Sequence, residues 1–115
     1  NIPITIIQVC FEICNQRFDR LITRMEALDK YRSRYLNKAC YLRSNVFMKM
    51  LLKLVQADFC PIKVQEKVAP HLRELRCNPF HEVTKGHELE IIPYTHLWTL
   101  LMEALQSQSG RRYLT

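Results

Sequence analysis

The chain has 115 residues, of which 48% are hydrophobic and 24% are charged, a composition typical of one folded domain rather than of a disordered segment. Its formal net charge is +6, and it contains only two glycines, Gly86 and Gly110. Phosphate-binding loops and dinucleotide-binding motifs need several glycines, so the sequence excludes both. Metalloprotease, serine-hydrolase and EF-hand motifs do not occur either, and we expect no enzymatic activity and no cofactor.

The first predicted element is a helix over about residues 5–29. Residues 4–60 contain neither glycine nor proline, which permits a long helical region. Apolar residues repeat at helical spacing along its first half. They are Ile7, Cys10, Phe11, Cys14, Phe18, Leu21, Ile22, Met25 and Leu28. The pattern loses its register at residues 29–33, where Arg32 occupies the next expected apolar position, so we place a break there.

A second helix is predicted over residues 36–55, and we expect the rest of the fold to pack against it. Its apolar residues share one wide face. They are Leu36, Cys40, Phe47, Met50, Leu51, Leu54 and Val55. Ser33 or Asn37 is the expected N-cap. As an alternative, the nearly heptad spacing of apolar residues from 7 to 46 would suit one long helix that pairs in a homodimer.

The third helix is predicted to begin at Pro61, which suits a first helical turn. Its apolar stripe consists of Val64, Val68, Leu72 and Leu75. Pro70 lies inside this stripe, and we expect it to kink or split the helix. An irregular loop is predicted over about residues 77–93, with a short extended segment near residues 87–92.

The last helix is predicted after Pro93, with Thr95 as its N-cap. Its inward face consists of Leu97, Trp98, Leu101, Ala104 and Leu105. We expect Trp98, the only tryptophan, to be half-buried.

Together these elements predict an all-α fold, a bundle of four to five helices with one irregular loop. We expect a single helical domain over residues 1–106 and a flexible tail over residues 107–115, within a larger protein. The cysteines are odd in number, at five, and lack the dense spacing of a disulfide scaffold. They favour reduced thiols and an intracellular location, either nuclear or cytoplasmic.

Basic residues are concentrated in the middle of the chain, because residues 30–57 contain seven Lys or Arg and no Asp or Glu. If the second helix extends back far enough, five of these cations lie opposite its apolar face. They are Lys30, Arg34, Lys38, Lys49 and Lys53. Tyr31, Tyr35 and Tyr41 are interleaved with them. A basic face of this kind attracts an acidic partner.

We therefore predict a non-enzymatic adaptor or scaffold domain that binds a partner peptide or helix in a groove between helices. The basic face would steer acidic ligands into that groove. The main alternative is nucleic-acid binding, because tyrosines stack on bases while Lys and Arg neutralise phosphates. A more distant alternative is a secreted, cytokine-like bundle with two disulfides. We expect no membrane partner, because no apolar run approaches the roughly 20 residues of a transmembrane helix.

The pattern of cysteines and histidines is a weak metal signal. Its only compact pair is Cys77 and His81, and no CxxC pair supports it. Structural zinc sites usually bring their ligands in close pairs, so we predict no metal site and interpret Cys77 as a buried residue at a helix end.

Overall fold

The computed structural model describes residues 2–38, 41–79 and 90–114, with the backbone alone for residues 109–114. Five helices make up this part of the chain. They are α1 (Ile2–Cys14), α2 (Phe18–Tyr35), α3 (Leu42–Gln56), α4 (Pro61–Cys77) and α5 (Tyr94–Leu114). No residue in these ranges lies in a strand. The predicted all-α fold of four to five helices is confirmed. None of the described helices is both long and apolar enough to cross a membrane.

Consecutive helices run antiparallel. Arg24 in α2 reaches back to Glu12 in α1, and Arg43 at the start of α3 donates to the Leu75 carbonyl near the end of α4. Gln108 of α5 donates to the carbonyl of Cys14, the last residue of α1. The first and last helices therefore pack side by side and run parallel, which closes the bundle.

Helix α3 is the centre of the bundle, because it packs against α1, α2 and α4. Its Phe47 ring also stacks on Tyr94 of α5 at 4.8 Å and meets Trp98 edge-on at 6.2 Å, both measured between ring centroids. The predicted inward positions Phe47, Met50, Leu51 and Leu54 are all buried, which confirms that part of the face.

The remainder of the predicted α3 face differs in detail. Leu36 is buried but lies before the helix, Val55 is only half-buried, and Cys40 lies outside the described residues. Four further residues of α3 are buried. They are Arg43, Ser44, Val46 and Met48. The start of α3 is thus enclosed on nearly all sides, which a one-sided apolar pattern does not predict.

The predicted single helix over residues 5–29 is wrong, because α1 ends at Cys14. Arg17 N–H donates to the Glu12 carbonyl, and Gln16 N–H donates to the Ile13 carbonyl. These two bonds form a Schellman motif, with Gln16 in the left-handed region at φ 59°. Glycine is the usual residue at that position, so the sequence carried no signal for this helix end.

The predicted break at residues 29–33 is also wrong, because α2 continues to Tyr35. Arg32 fits there because its guanidinium is hydrogen-bonded to Asp29 and to the Asn45 side chain. Ser33 lies in the last turn of α2, and the residue before α3 is Tyr41, so neither predicted N-cap is correct. The same helix ends exclude the alternative of one long helix. Homodimerisation stays a prediction, but the long helix no longer supports it.

The apolar face predicted for the first helix is correct only in part, because the pattern assumed a continuous helix. Leu21 and Met25 of α2 and Cys10 of α1 are buried as predicted. Phe11 and Ile22 were expected inside but are 63% and 49% exposed. The buried residues of α1 are Ile6, Val9, Cys10 and Ile13.

Helix α4 begins at Pro61 and buries Val64, Val68 and Leu75, as predicted, with Leu72 half-buried. It is not split at Pro70. Both Pro70 and Glu66, whose carbonyl loses its helical donor, are on the exposed side, where solvent can replace that bond. Cys77 is exposed, so its interpretation as a buried residue is wrong.

Helix α5 begins at Tyr94, so Thr95 lies inside the first turn and is not the N-cap. Trp98 is 4% exposed rather than half-buried, and Leu97, Leu101 and Leu105 are buried as predicted. The helix continues to Leu114, past the predicted tail start, and the division into domain and tail stays a prediction. The extended segment predicted near residues 87–92 falls largely outside the described residues.

Candidate partner-binding surface

The residues predicted for the basic face are divided between two helices and their connection. Lys30, Tyr31, Arg34 and Tyr35 are exposed on the last turns of α2, and Lys38 is exposed just after it. Lys49 and Lys53 lie on α3, and Tyr41 is half-buried at its start. The single helical face on which the prediction was based therefore does not exist. We call the part at the end of α2 the basic strip, namely Lys30, Tyr31, Arg34, Tyr35 and Lys38.

The cations of the basic strip lack acidic partners in the described part of the chain. Of the seven basic residues between 30 and 57, two are paired: Arg32 with Asp29 at 2.8 Å, and Arg43 with Glu90 at 2.7 Å. For the remaining five, no acid in residues 2–38, 41–79 or 90–108 lies within ion-pair distance. These five are the same cations that the sequence pattern singled out. The basic strip therefore presents to solvent positive charge that no described acid compensates.

Two aromatic rings accompany this charge. Tyr31 and Tyr35 are one helical turn apart, 41% and 52% exposed, with ring centroids 4.8 Å apart and planes tilted by 44°. The Arg34 guanidinium carbon lies 6.0 Å from the centroid of the Tyr35 ring, at the outer limit of a cation–π contact. The strip thus combines exposed apolar area with positive charge.

A groove between α1 and α2 adjoins the basic strip. Its volume is about 280 Å³, and its lining is mainly apolar. The lining residues are Ile2, Thr5, Arg24, Ala27, Leu28 and Tyr31. Tyr31 belongs both to the groove and to the strip, so the two features are continuous. The Arg24 guanidinium is held by the Glu12 carboxylate and by the Gln8 side-chain oxygen, the latter at 3.0 Å, so this wall of the groove is neutralised.

A second groove, of about 360 Å³, lies between α4 and α5. Val68, Leu72, Trp98 and Met102 contribute apolar surface to it, and Glu103 is the charged residue among its described lining. An acidic segment would meet a like charge there. A larger cavity of about 450 Å³ at the α1–α2 turn is lined by Arg17, Arg20 and Asp19, together with Gln16 and Phe18, and mixes both signs of charge. Of these three grooves, the α1–α2 groove is the one that shares a lining residue, Tyr31, with the basic strip.

Sequence reasoning missed a buried polar cluster at the junction of α3, α4 and α5. Arg43 donates to both carboxylate oxygens of Glu90, at 2.7 and 3.2 Å, and to the carbonyls of Leu75 and Asn78, each at 2.6 Å. Glu90 Oε1 in turn accepts the backbone N–H of Tyr94 at 2.8 Å and so caps α5.

Ser44 completes this cluster, since its hydroxyl lies 2.7 Å from the Tyr94 hydroxyl. Each of these side chains has a hydrogen-bond partner within the cluster, so the cluster holds the helix ends together. No sequence signal could have found it, because only the folded chain brings residue 90 to residue 43.

Cys10 and Cys14 lie one helical turn apart near the end of α1, and burial makes both poor nucleophiles. Burial raises the pKa of the Cys10 thiol to about 12, with the neighbouring Cys14 adding to the effect, and burial also raises the pKa of Cys14. Both are therefore protonated near neutral pH. No group of three or more potential metal ligands occurs among the described residues, and His81 lies outside them.

Comparison with protein-family models finds no match, and neither the curated proteins nor the solved structures include one. A function for this chain must therefore be argued from the charge and shape of its own surface. The basic strip and the adjoining α1–α2 groove are the features from which we argue it.

Proposed function

We propose that this chain is an adaptor domain that binds an acidic segment of another protein along the basic strip. One large apolar side chain of that segment would occupy the α1–α2 groove. The observation that supports this is the shared position of Tyr31, which makes an uncompensated basic surface continuous with an apolar groove. The proposal includes no catalytic step.

The two features contribute in different ways. Exposed cations without acidic partners accelerate the encounter with an acidic segment and exclude basic ones, while adding little affinity individually. Burial of an apolar side chain in the groove provides affinity, at about 25 cal/mol for each Å² removed from water. A partner that offers both an acid and a neighbouring large apolar residue fits this surface, as in helices that dock their apolar face in a groove.

Nucleic-acid binding through the same strip is the competing interpretation. Exposed tyrosines beside cations would serve it, but the apolar groove would have no role in contacting phosphates. The two interpretations differ in their dependence on salt, because each neutralised phosphate adds about 0.7–0.9 to the slope of log K against log salt.

Fluorescence anisotropy with three labelled probes of equal charge separates these interpretations. The probes are an acidic amphipathic helical peptide with leucines on one face, the same peptide with those leucines replaced by serine, and a single-stranded oligonucleotide. We expect the leucine peptide to bind more tightly than either of the others. Tighter binding of the oligonucleotide, with the steeper salt slope, would contradict the proposal.

A pair of matched variants locates the binding. Ala27→Phe adds a ring to the exposed wall of the α1–α2 groove, whereas Thr99→Phe adds the same ring to the exposed wall of the α4–α5 groove. Of these two grooves, only the α1–α2 groove adjoins the basic strip. Ala27→Phe should therefore weaken the binding of the leucine peptide at least tenfold, and Thr99→Phe should leave it unchanged. The reverse pattern would place the binding groove between α4 and α5.

A further inference from the structure

The groove between α1 and α2 has an arginine beyond each of its ends. The α2 residues that line the groove run from Arg24 to Tyr31, with Ala27 in the middle. Arg20 lies seven residues before Ala27, and Arg34 lies seven residues after it, all within α2. Seven residues make nearly two full turns, so the three side chains leave the helix on the same side, with steps of about 10 Å along its axis. We call Arg20, Ala27 and Arg34 the α2 row.

The two arginines of the α2 row have no acidic partner in the described part of the chain. The other two arginines of the helix, Arg24 and Arg32, are each paired with an acid. For Arg20 and Arg34, no described acid lies within ion-pair distance, and both residues are exposed. Both guanidinium groups can therefore receive a carboxylate from a partner.

The acids nearest to the groove do not oppose this charge. At about 100° per residue, Asp19 and Glu26 are each rotated by about 100° from the neighbouring member of the α2 row, and Asp29 is rotated by about 160° from its middle member. Asp29 is also held in an ion pair. Glu12, the only charged residue in α1, is held in an ion pair as well. A segment along the groove therefore meets a mainly apolar lining with a cation beyond each end.

We infer that the partner segment is a helix with a large apolar residue, an acid seven residues before it and a second acid seven residues after it. The inference rests on the proposed function, because the apolar residue is the one that occupies the groove. A helix in a groove between two antiparallel helices lies along them, and its rise of about 1.5 Å per residue brings the two acids level with Arg20 and Arg34. The pattern is symmetric about the apolar residue, so it fits either direction of the partner chain.

This pattern adds Arg20 to the binding surface, although Arg20 lies ten residues before the first residue of the basic strip. Attraction to the strip alone depends on the total charge of a ligand and only weakly on its arrangement. Contacts with both arginines of the α2 row depend on where the acids of the ligand lie. Ligands of equal charge with differently placed acids therefore separate the two cases.

Fluorescence anisotropy with two labelled helical peptides of about 21 residues, at low salt, tests this inference. Each peptide has one central leucine and two glutamates in a background of alanine and glutamine, so the composition and net charge of the two peptides are identical. The glutamates lie seven residues from the leucine in the first peptide, and five residues from it, on the far side of the helix, in the second. We expect the first peptide to bind about fivefold more tightly, since each of two exposed ion pairs contributes a factor of about two to three.

A double variant of the α2 row locates the preference. Arg20→Gln combined with Arg34→Gln should make the two peptides bind equally. The matched control combines Arg73→Gln with Arg76→Gln, which removes the same charge from two exposed arginines of α4 and should keep the fivefold preference. Circular dichroism verifies that the variants are folded and that the two peptides are equally helical.

Equal binding of the two peptides by the wild-type chain would overturn the inference and leave the proposed function standing. A preference that survives in the Arg20 and Arg34 double variant would place the contacts elsewhere and overturn the inference too. If neither peptide binds at millimolar concentration, the proposed function itself is contradicted, and the inference fails with it.

Discussion

Arg43 shows how a single residue can join three helices. Its guanidinium holds the carbonyls at the end of α4 and the carboxylate that caps α5, while its own backbone belongs to the first turn of α3. Both Arg43 and Glu90 side chains are almost inaccessible, at 5% and 3%. A buried charge whose partner is removed is strongly destabilising, because it has lost its solvation without compensation.

Glu90→Gln should therefore lower the free energy of unfolding by about 3–5 kcal/mol, measured by urea denaturation. The matched control is Asp29→Asn, which breaks the pair with Arg32. Since the Asp29 side chain is 44% exposed, that change should cost less than about 1 kcal/mol. Equal losses in the two variants would mean that the Arg43–Glu90 pair is not a principal junction of the fold.

Gln16 adopts a left-handed backbone conformation that is less favourable for glutamine than for glycine. A non-glycine residue in the left-handed region is disfavoured by about 1–2 kcal/mol, offset in part by the greater unfolded-state entropy of glycine. Gln16→Gly should therefore raise the free energy of unfolding by about 0.5–1 kcal/mol. Ala27→Gly, at an exposed position inside α2, should lower it by about 1 kcal/mol. A loss of stability in Gln16→Gly would show that α1 does not end in this conformation.

At the scale of the helices, the sequence predicted the buried faces that the spacing of apolar residues indicates. The buried face of α3 around Phe47 and Leu51 and the stripe of α4 follow from apolar spacing alone, because each helix turns that face to the core. The end of α1 at Cys14 and the end of α2 at Tyr35 could not be predicted from apolar spacing. One depends on a Schellman motif without glycine, and the other was displaced because Arg32 is satisfied by Asp29 and Asn45.

The candidate partner-binding surface was also predicted only in part. A run of cations without acids indicated the basic strip, because such a pattern is local in sequence. A groove between helices was predicted but its location was not, since Ile2 and Tyr31 meet only after the chain turns back at Gln16. Likewise, two of the seven cations are paired with acids. Only the tertiary structure shows that Arg43 has an acidic partner while Lys38 has none among the described residues.

Helix α3 should be the most sensitive element to loss of side-chain volume. Phe47 is fully buried and contacts two aromatic rings of α5, so Phe47→Ala should lower the free energy of unfolding by about 3–5 kcal/mol. Leu51→Ala, at 1% exposure, should cost about 2–5 kcal/mol. The control Phe11→Ala, at 63% exposure, should change stability by less than about 0.5 kcal/mol in dilute solution. Losses below about 0.5 kcal/mol at both core positions would contradict the central role of α3.

Among the described residues, the surface features lie on different parts of the bundle. The basic strip lies at the end of α2, Arg20 lies near the start of the same helix, and Glu103 lines the groove between α4 and α5. If both proposals hold, the partner lies along α2 and leaves the cations of α4 uncovered. Those cations can therefore serve as a control for the position of the charge.

The most direct test of the central claim is a comparison of two triple charge reversals as baits for partner capture. One variant changes Lys30, Arg34 and Lys38 to Glu. The control changes three exposed cations of α4 to Glu, namely Lys63, Lys67 and Arg73. Each set of reversals cancels the formal net charge of +6, so the two variants differ only in where the charge is changed.

Both variants should fold, because an exposed charge contributes about 0–1 kcal/mol to stability. Proteins captured by the wild-type chain and quantified by mass spectrometry should remain with the α4 control and be lost from the Lys30, Arg34 and Lys38 variant. Unfolding of that variant would show that these cations are paired within the fold. Undiminished capture by the folded variant would contradict the claim that the basic strip binds the partner.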